Sequence, residues 1–413
     1  MTTLAPPDSE AVERANPRAL PTLLAVIFVN LVGFGIVVPL LPFYARSFQA
    51  PAWQVALVFS AYAIGAFFGE PFWGRLSDRI GRRPILISTI VGNCLCYLAL
   101  AFAPDAWSAF AVRLLGGMAS GNASVIQGYI ADVTPAGLRA TRLSYLGAAY
   151  NLGFIVGPAL GGLLANPGAG HAGFRIPLIV AAGLSAACAI GIVLFVKESR
   201  RRGHDGEAAQ GRWAAARAAI AHPVIARLML VTFLAGSSFM GVEFIFSLWS
   251  AARFHWGARE VGLAFAVVGL AAAFAQFALT GPLSRRFGEG RVLAAGMALA
   301  AVAMALQPFS RGAWITILLA LSALGQSVAW PNVGALISRN ADWRHQGQYQ
   351  GLNNAVAALA RLAGPFAAGL VFANIGLDAP FALAALLVAP AMALALAARP
   401  EAKLGRNTAG SQE

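Results

Sequence analysis

The acidic residues Glu70 and Glu243 fall inside long apolar runs, and so do the basic residues Arg113 and Arg361. A charge in hydrocarbon costs at least about 2.5 kcal/mol unless it pairs or meets water. Burial favours the neutral form of a carboxyl and a nearby arginine favours the charged form, so a change in their spacing loads and unloads a proton. Glu243, in Gly241-Val-Glu243-Phe-Ile-Phe, sits about 10 Å inside a run ending at Ser250. It is expected to be the principal proton-coupling carboxylate, tuned by Arg361 or Arg113. Glu70 stands about one turn from the inner end of its run, within reach of Arg83, and is the structural or second candidate. Asn30, Asn122, Gln127, Asn151, Phe239, Gln326, Trp330, Asn332 and Asn353 would line a small-molecule cavity with Glu243; amides bonded across helices are the alternative. The five histidines fall in loops or at run ends, and no His/Cys/Asp cluster has metal or nucleophile spacing. Cys94, Cys96 and Cys188 lie in apolar runs and suggest no disulfide. With no phosphate-binding glycine loop either, the chain is expected to be neither an enzyme nor ATP-driven, and to need no metal or cofactor.

Those residues must be positioned by apolar elements. Charged residues make up 11% of the 413, hydrophobic ones 58%, and mean hydropathy is +0.68, a balance suited to a bilayer. A hydrocarbon core about 30 Å thick takes about 20 residues per helix. Twelve runs qualify: 20–44, 54–73, 84–103, 107–131, 144–165, 174–196, 224–250, 259–281, 291–309, 312–337, 350–374 and 379–398. The net charge of +13 lies on one side of them. With the amino terminus inside, tails and inner loops hold 23 of the 30 Lys and Arg, and the outer loops hold Arg46, Arg175, Arg253, Arg259 and Arg311. That bias marks the cytoplasmic face, so both termini are expected there, and the charge calls for no nucleic acid. Residues 1–19 read as a cytoplasmic tail rather than a cleaved leader.

The chain also repeats itself. Gly74-Arg-Leu-Ser-Asp-Arg-Ile-Gly-Arg-Arg-Pro-Ile-Leu aligns without gaps on Gly281-Pro-Leu-Ser-Arg-Arg-Phe-Gly-Glu-Gly-Arg-Val-Leu, an offset of 207 residues. Gly157-Pro158 and Gly162 match Gly364-Pro365 and Gly369 at that same offset of 207. The expected fold is an all-α membrane protein of twelve transmembrane helices in two pseudo-symmetric six-helix halves, 20–196 and 224–398, with a site between them near mid-membrane. Residues 197–223 form a cytoplasmic linker with a short surface helix, and 399–413 a second tail.

In the stretch from Gly74 to Arg83, Gly74 and Gly81 are expected to let the chain reverse tightly, while Arg79, Arg82 and Arg83 face anionic headgroups. Asp78, a lone carboxylate among arginines, calls for a salt-bridge or helix-dipole partner. Gly153, Gly157 and Gly161 make a flat stripe for close helix packing, and Pro158 permits a bend. With the helical pattern around it, the decapeptide resembles the loop 2–3 signature of the major facilitator superfamily, and the resemblance extends over the whole chain. The stretch from Gly147 to Gly162 resembles the antiporter signature of its drug/proton antiporters, which seals and bends that helix between the halves. Phe110-Ala-Val-Arg113-Leu-Leu-Gly116-Gly117 is similar to a signature whose arginine takes part in proton transfer. Tyr129-Ile-Ala-Asp132-Val-Thr134-Pro135 and Gly33-Phe-Gly35-Ile-Val-Val-Pro39-Leu-Leu-Pro42 resemble tetracycline efflux pumps and their relatives. Where those pumps carry an aspartate in helix 1, this chain has Asn30. An amide exchanges no proton, so the coupling carboxylate lies elsewhere.

The resemblance implies a secondary transporter of the bacterial inner membrane that exports small amphipathic or drug-like compounds in exchange for protons by alternating access. It also implies that Asp78 stabilises the outward-open state by facing the start of helix 11 near Gln350. The partners expected are a small-molecule substrate, protons and membrane lipid, and the chain is expected to act as a monomer. A proton-coupled nutrient symporter, a lipid flippase and a membrane receptor are the competing readings.

Overall fold

The computed structural model describes residues 19–134, 138–199, 222–341 and 346–397. Both tails, the surface helix expected in the linker, Pro135, His204, His345 and the side chain of Asn151 lie outside the described residues. The regular structure among those described is helical. The first segment holds α1 (Ala19–Val37), α2 (Leu41–Arg46), α3 (Ala52–Ile80), α4 (Arg82–Ala101), α5 (Ala106–Met118), α6 (Asn122–Val133), α7 (Arg139–Leu164) and α8 (Arg175–Phe195). The second holds α9 (Pro223–Phe254), α10 (Ala258–Phe274), α11 (Thr280–Phe287), α12 (Glu289–Leu306), α13 (Trp314–Asn340), α14 (Gln346–Asn374) and α15 (Ala379–Ala397). A π-helical turn, Ala275–Leu279, joins α10 to α11.

Ten helices among the described residues are long and apolar enough to cross a membrane. The expected runs 107–131 and 144–165 are not among them. The second coincides with α7, whose apolar part is Leu152–Leu164. The first was expected to be continuous and is instead broken between α5 and α6. Glycine is a poor helix former, and Gly116, Gly117 and Gly121 crowd that stretch. The break is held open: the Trp73 indole donates to the Met118 carbonyl at 2.7 Å, satisfying an acceptor that a helix end leaves bare. A Cβ on Gly121 would collide with the Trp73 side chain. At the other end of α5, Asp105 accepts from the Ser108 amide at 2.8 Å, which holds its carboxyl below the usual range.

Gly81, Gly288 and Val196 to Ser199 lie at one face of the bundle, the linker face. The turns at 38–51, 102–105, 165–174, 255–257 and 307–313 lie at the far face. There the two segments share one apolar core, running from Ile36, Leu41 and Tyr44 to Phe246, Trp249 and Phe265, and within the second segment alone that core continues to Val224, Leu336 and Ala395 near the linker face. Toward the linker face the first segment keeps a separate core of its own, including Leu23, Ile85, Ile126, Ile130 and Ile192. The segments therefore close against each other at the far face.

Two helix pairs, α7 with α10 and α3 with α14, carry most of the seam. The stripe expected on α7 packs within its own segment: a Cβ on Gly153, Gly157 or Gly161 would strike Leu31, Gly35 or Ile36 of α1. Gly162, one residue on, meets Ala258 and Gly262 of α10 across the seam, and Gly262 meets the Pro158 carbonyl. Without hydrophobic drive between helices, such close approach supplies the packing. Gly157→Leu, which would push α7 off α1, is expected to abolish transport while leaving membrane insertion intact, as read by dye efflux and by recovery from the membrane fraction; wild-type efflux would refute the contact.

Candidate functional site

Glu243 lies eleven residues before the end of α9, about 17 Å inside it, deeper than the 10 Å expected because α9 runs on to Phe254. It is half-buried and makes no hydrogen bond or ion pair with a described residue. Its neighbours place it beside the seam. Gly241 backs onto Gly364 of α14, and the Phe244 ring stands 5.1 Å from that of Phe59 on α3.

The arginines expected to tune Glu243 are elsewhere among the described residues. Arg361, exposed near the middle of α14, lies within electrostatic reach of Glu70. Arg113, buried on α5, neither reaches the outer surface nor meets a carboxylate. Its guanidinium stands 4.8 Å from the Tyr62 ring centroid, a cation–π contact, and its Nε has no hydrogen-bond partner. A small cavity there is lined by Tyr62, Asn93, Cys96, Tyr97 and Arg113. Glu70 is not one turn from a helix end, because α3 continues to Ile80 and leaves it about 15 Å inside. Nor does Arg83 serve it: Arg83 Nη2 donates to the Val193 carbonyl at 2.7 Å.

Several of the expected cavity amides are bonded across helices. Gln326 Nε2 donates to the Ala235 carbonyl of α9 at 3.1 Å. Asn353 Oδ1 accepts from Thr232 of α9 at 2.7 Å, and Asn332 Oδ1 from Ser284 of α11 at 2.8 Å. Those bonds tie α13 and α14 to their neighbours. Asn122 opens α6 and Gln127 is exposed on it. Asn30 and Phe239 are half-buried, and Trp330 is 40% exposed.

The stretch from Gly74 to Arg83 is built differently from expectation. Gly74 lies within α3 and makes no turn; Gly81 alone, at φ +118°, reverses the chain. Arg79 is exposed. Arg82 does not face lipid but is buried, pairing with Asp78 at 2.9 Å and Asp132 at 3.1 Å and donating to Ser77 at 2.7 Å. Gly128 admits it, since a Cβ there would strike the guanidinium. The Glu198 carboxylate, just past α8, accepts from the amides of Arg82 and Arg83 at 2.8 and 3.1 Å, capping the start of α4. Glu198 and Gly128 were missed because their partners are remote in sequence; a lone acid following an apolar run is the signal Glu198 offered.

The description "Major Facilitator Superfamily" belongs to the family model that matches residues 23–257 and 228–412. The tetracycline resistance protein, class C, of Escherichia coli is 30% identical over 370 residues, 86% of this chain and 90% of that one. The class G protein of Vibrio anguillarum is 34% identical over 351 residues, 83% and 87% of the two chains. A solved bacterial homologue of the human lysosomal transporter Spinster, inward-facing and unoccupied, superposes with a TM-score of 0.78 at 15% identity, over 96% of this chain and 98% of that one.

A Cβ on Gly81 would also strike the Glu198 carboxylate, so the two positions are coupled. Gly81→Ala is expected to lower the melting temperature of the purified protein, and Glu198→Ala to cost about 1 kcal/mol for its exposed charge-assisted bonds. In the Glu198→Ala background, Gly81→Ala should cost less than it does alone; strict additivity would refute the contact.

Proposed function

Because the chain belongs to the major facilitator superfamily, as a multi-pass membrane protein of its drug/proton antiporter type, we propose that it exports drug-like amphipathic compounds in exchange for protons. The observation that carries this is Glu243: a half-buried carboxylate without a described partner, beside the seam between two segments that, among the described residues, share an apolar core at the far face. A carboxylate so placed is stable when water, a proton or a cationic ligand reaches it. The tetracycline resistance relatives support a drug-like substrate, while Asn30, in place of the pumps' aspartate, argues that coupling here runs through another carboxylate.

The full layout that goes with this reading is twelve spans in two pseudo-symmetric halves, 20–196 and 224–398, joined by the linker 197–223. The tails 1–19 and 399–413 are cytoplasmic, which makes the linker face the inner one and this conformation, closed at the far face, the inward-facing one. The chain works as a monomer in the bacterial inner membrane, with lipid around it. Asn30, Phe239 and Trp330 give the apolar and polar walls that an amphipathic compound needs.

In proteoliposomes with an imposed pH difference, wild-type protein is expected to concentrate ethidium or tetracycline. Glu243→Gln should still bind the neutral form of the compound but no longer concentrate it; accumulation by the Gln variant would remove Glu243 from the mechanism. Asp78, held here by Arg82, should face the start of α14 near Gln350 when the linker face closes. Charge-assisted bonds are worth about 1.5–3 kcal/mol, so Asp78→Asn should move a near-balanced equilibrium about tenfold or more toward the inward-open form. Spin labels on the far-face turns would read this as shortened distances, and unchanged distributions would rule the role out.

A further inference from the structure

At the far face the last turn of α9 is tied to the residue that precedes α15. Asp378 accepts from the Trp249 indole at 2.7 Å and from Arg253 Nη1 at 2.8 Å. Trp249 is fully buried, its ring edge-on to that of Phe381 at 4.9 Å, so the carboxylate is held from behind while its outer side stays open. The Arg253 and Asp378 side chains are 37% and 42% exposed. A guanidinium and a carboxylate each offer more bonds than these contacts use. What they present is a cation and an anion side by side, neutral as a pair, where α9 and α15 meet the membrane surface.

Beside that pair a groove of about 640 Å³ opens. One wall is a single face of α15, with Ala379, Ala382 and Leu386 three and four residues apart. The other is Pro308 and Phe309, in the turn that follows α12. Small residues usually let membrane helices close up, and at their linker-face ends α12 and α15 do so: a Cβ on Gly290 would lie 3.9 Å from the Ala395 carbonyl. At their far-face ends the same two helices stand apart. Leu386 is 69% exposed and Phe309 80%, and Leu386 lies about 10 Å along α15 from its start. The groove therefore runs from a charged rim into the hydrocarbon, with walls suited to an acyl chain.

We propose that this groove binds one phospholipid of the far-face leaflet with a primary-ammonium head group: phosphate against Arg253, ammonium against Asp378, and an acyl chain along the alanine face of α15. Charge selects the head group. A zwitterion answers a neutral ion pair group for group, whereas an anionic glycerol head leaves Asp378 facing a phosphate, and a choline head has no N–H to give the carboxylate. A lipid seated there touches α9, α15 and the end of α12 at once, and so braces three helices of the second segment. The site depends on the membrane-spanning fold alone, so a chain that exported nothing would still hold it.

Purified full-length protein, delipidated in detergent, is titrated with dioleoyl phosphatidylethanolamine, phosphatidylcholine or phosphatidylglycerol in mixed micelles. Bound lipids are counted by native mass spectrometry and the melting temperature is followed. One copy of the ethanolamine lipid is expected to be retained at about tenfold lower concentration than either of the others, and to raise the melting temperature as a ligand of the folded state does. Asp378→Asn, which keeps an acceptor for the Trp249 indole, should erase the preference for ethanolamine. Ala382→Phe, which fills the groove and leaves the ion pair intact, should remove the one retained lipid. Arg253→Ala should weaken retention and Arg253→Lys should keep most of it. Glycerophosphoethanolamine, the head group without chains, should not compete. Equal retention of the three lipids by wild type, or an ethanolamine preference that survives both Asp378→Asn and Ala382→Phe, overturns the proposal. A preference for phosphatidylglycerol would make the occupant an anionic lipid, and competition by the chain-free head group would make the groove irrelevant; either result also overturns it.

Discussion

A charge inside a bilayer has to find an opposite charge, an aromatic face or water, and that demand organises this protein more than any other. Four ionisable side chains lie at depth. Arg113 meets it with the Tyr62 ring and a water-sized cavity. Arg361 is exposed near the middle of α14, where water or an anionic group is the neighbour it needs. Glu70 and Glu243 are half-buried and bonded to no described residue. A transporter needs charges of that open kind, because a permanently satisfied charge cannot report on either conformation or cargo.

Much of this was legible in order of residue separation. Apolar run length gave helix positions well, since a bilayer imposes about 20 residues regardless of what packs beside them. It understated α3, which was expected to end near 73 and reaches Ile80. Its polar last turns belong to the interface, and Arg82 secures them by pairing back to Asp78. It missed the break in the fourth span, because hydropathy is blind to the glycines there and the donor that stabilises the gap, Trp73, is 45 residues away. The site was legible as residue types and not as pairings. Glu70, Glu243, Arg113 and Arg361 stood out as charges in apolar runs, yet what each of them meets depends on how helices remote in sequence cross.

The glycines show a second limit. Their spacing on α7 announced a close neighbour, and the structure gives two: α1 for Gly153, Gly157 and Gly161, and α10 for Gly162. A stripe spaced four residues apart drifts around the helix by about 40° per step at 3.6 residues per turn, so its own faces did not say which neighbour each position meets. Assigning the whole stripe to the interface between halves conflated packing that holds one body together with contact that lets two bodies meet.

That distinction bears on how the two segments can move. Within the first segment, Arg82 binds Asp78, Asp132 and Ser77 at 2.7 to 3.1 Å, and Glu198 caps α4. Ionised hydrogen bonds of this length are among the strong ones, and they make the loop, α4, α6 and the end of α8 one body. Across the seam the contacts are of a different kind: the shared apolar core at the far face, long hydrogen bonds of 3.5 Å at Ser60 and 3.4 Å at Ser247, the Phe59–Phe244 ring pair, and glycine backbones in close approach. None of these needs an ion to be stripped of its partner when it breaks. Bodies that are bonded by ion pairs inside and joined to each other by apolar contact can exchange one closed face for the other without unfolding anything. Only a ligand or a proton with different affinity for the two closures can then shift the balance between them.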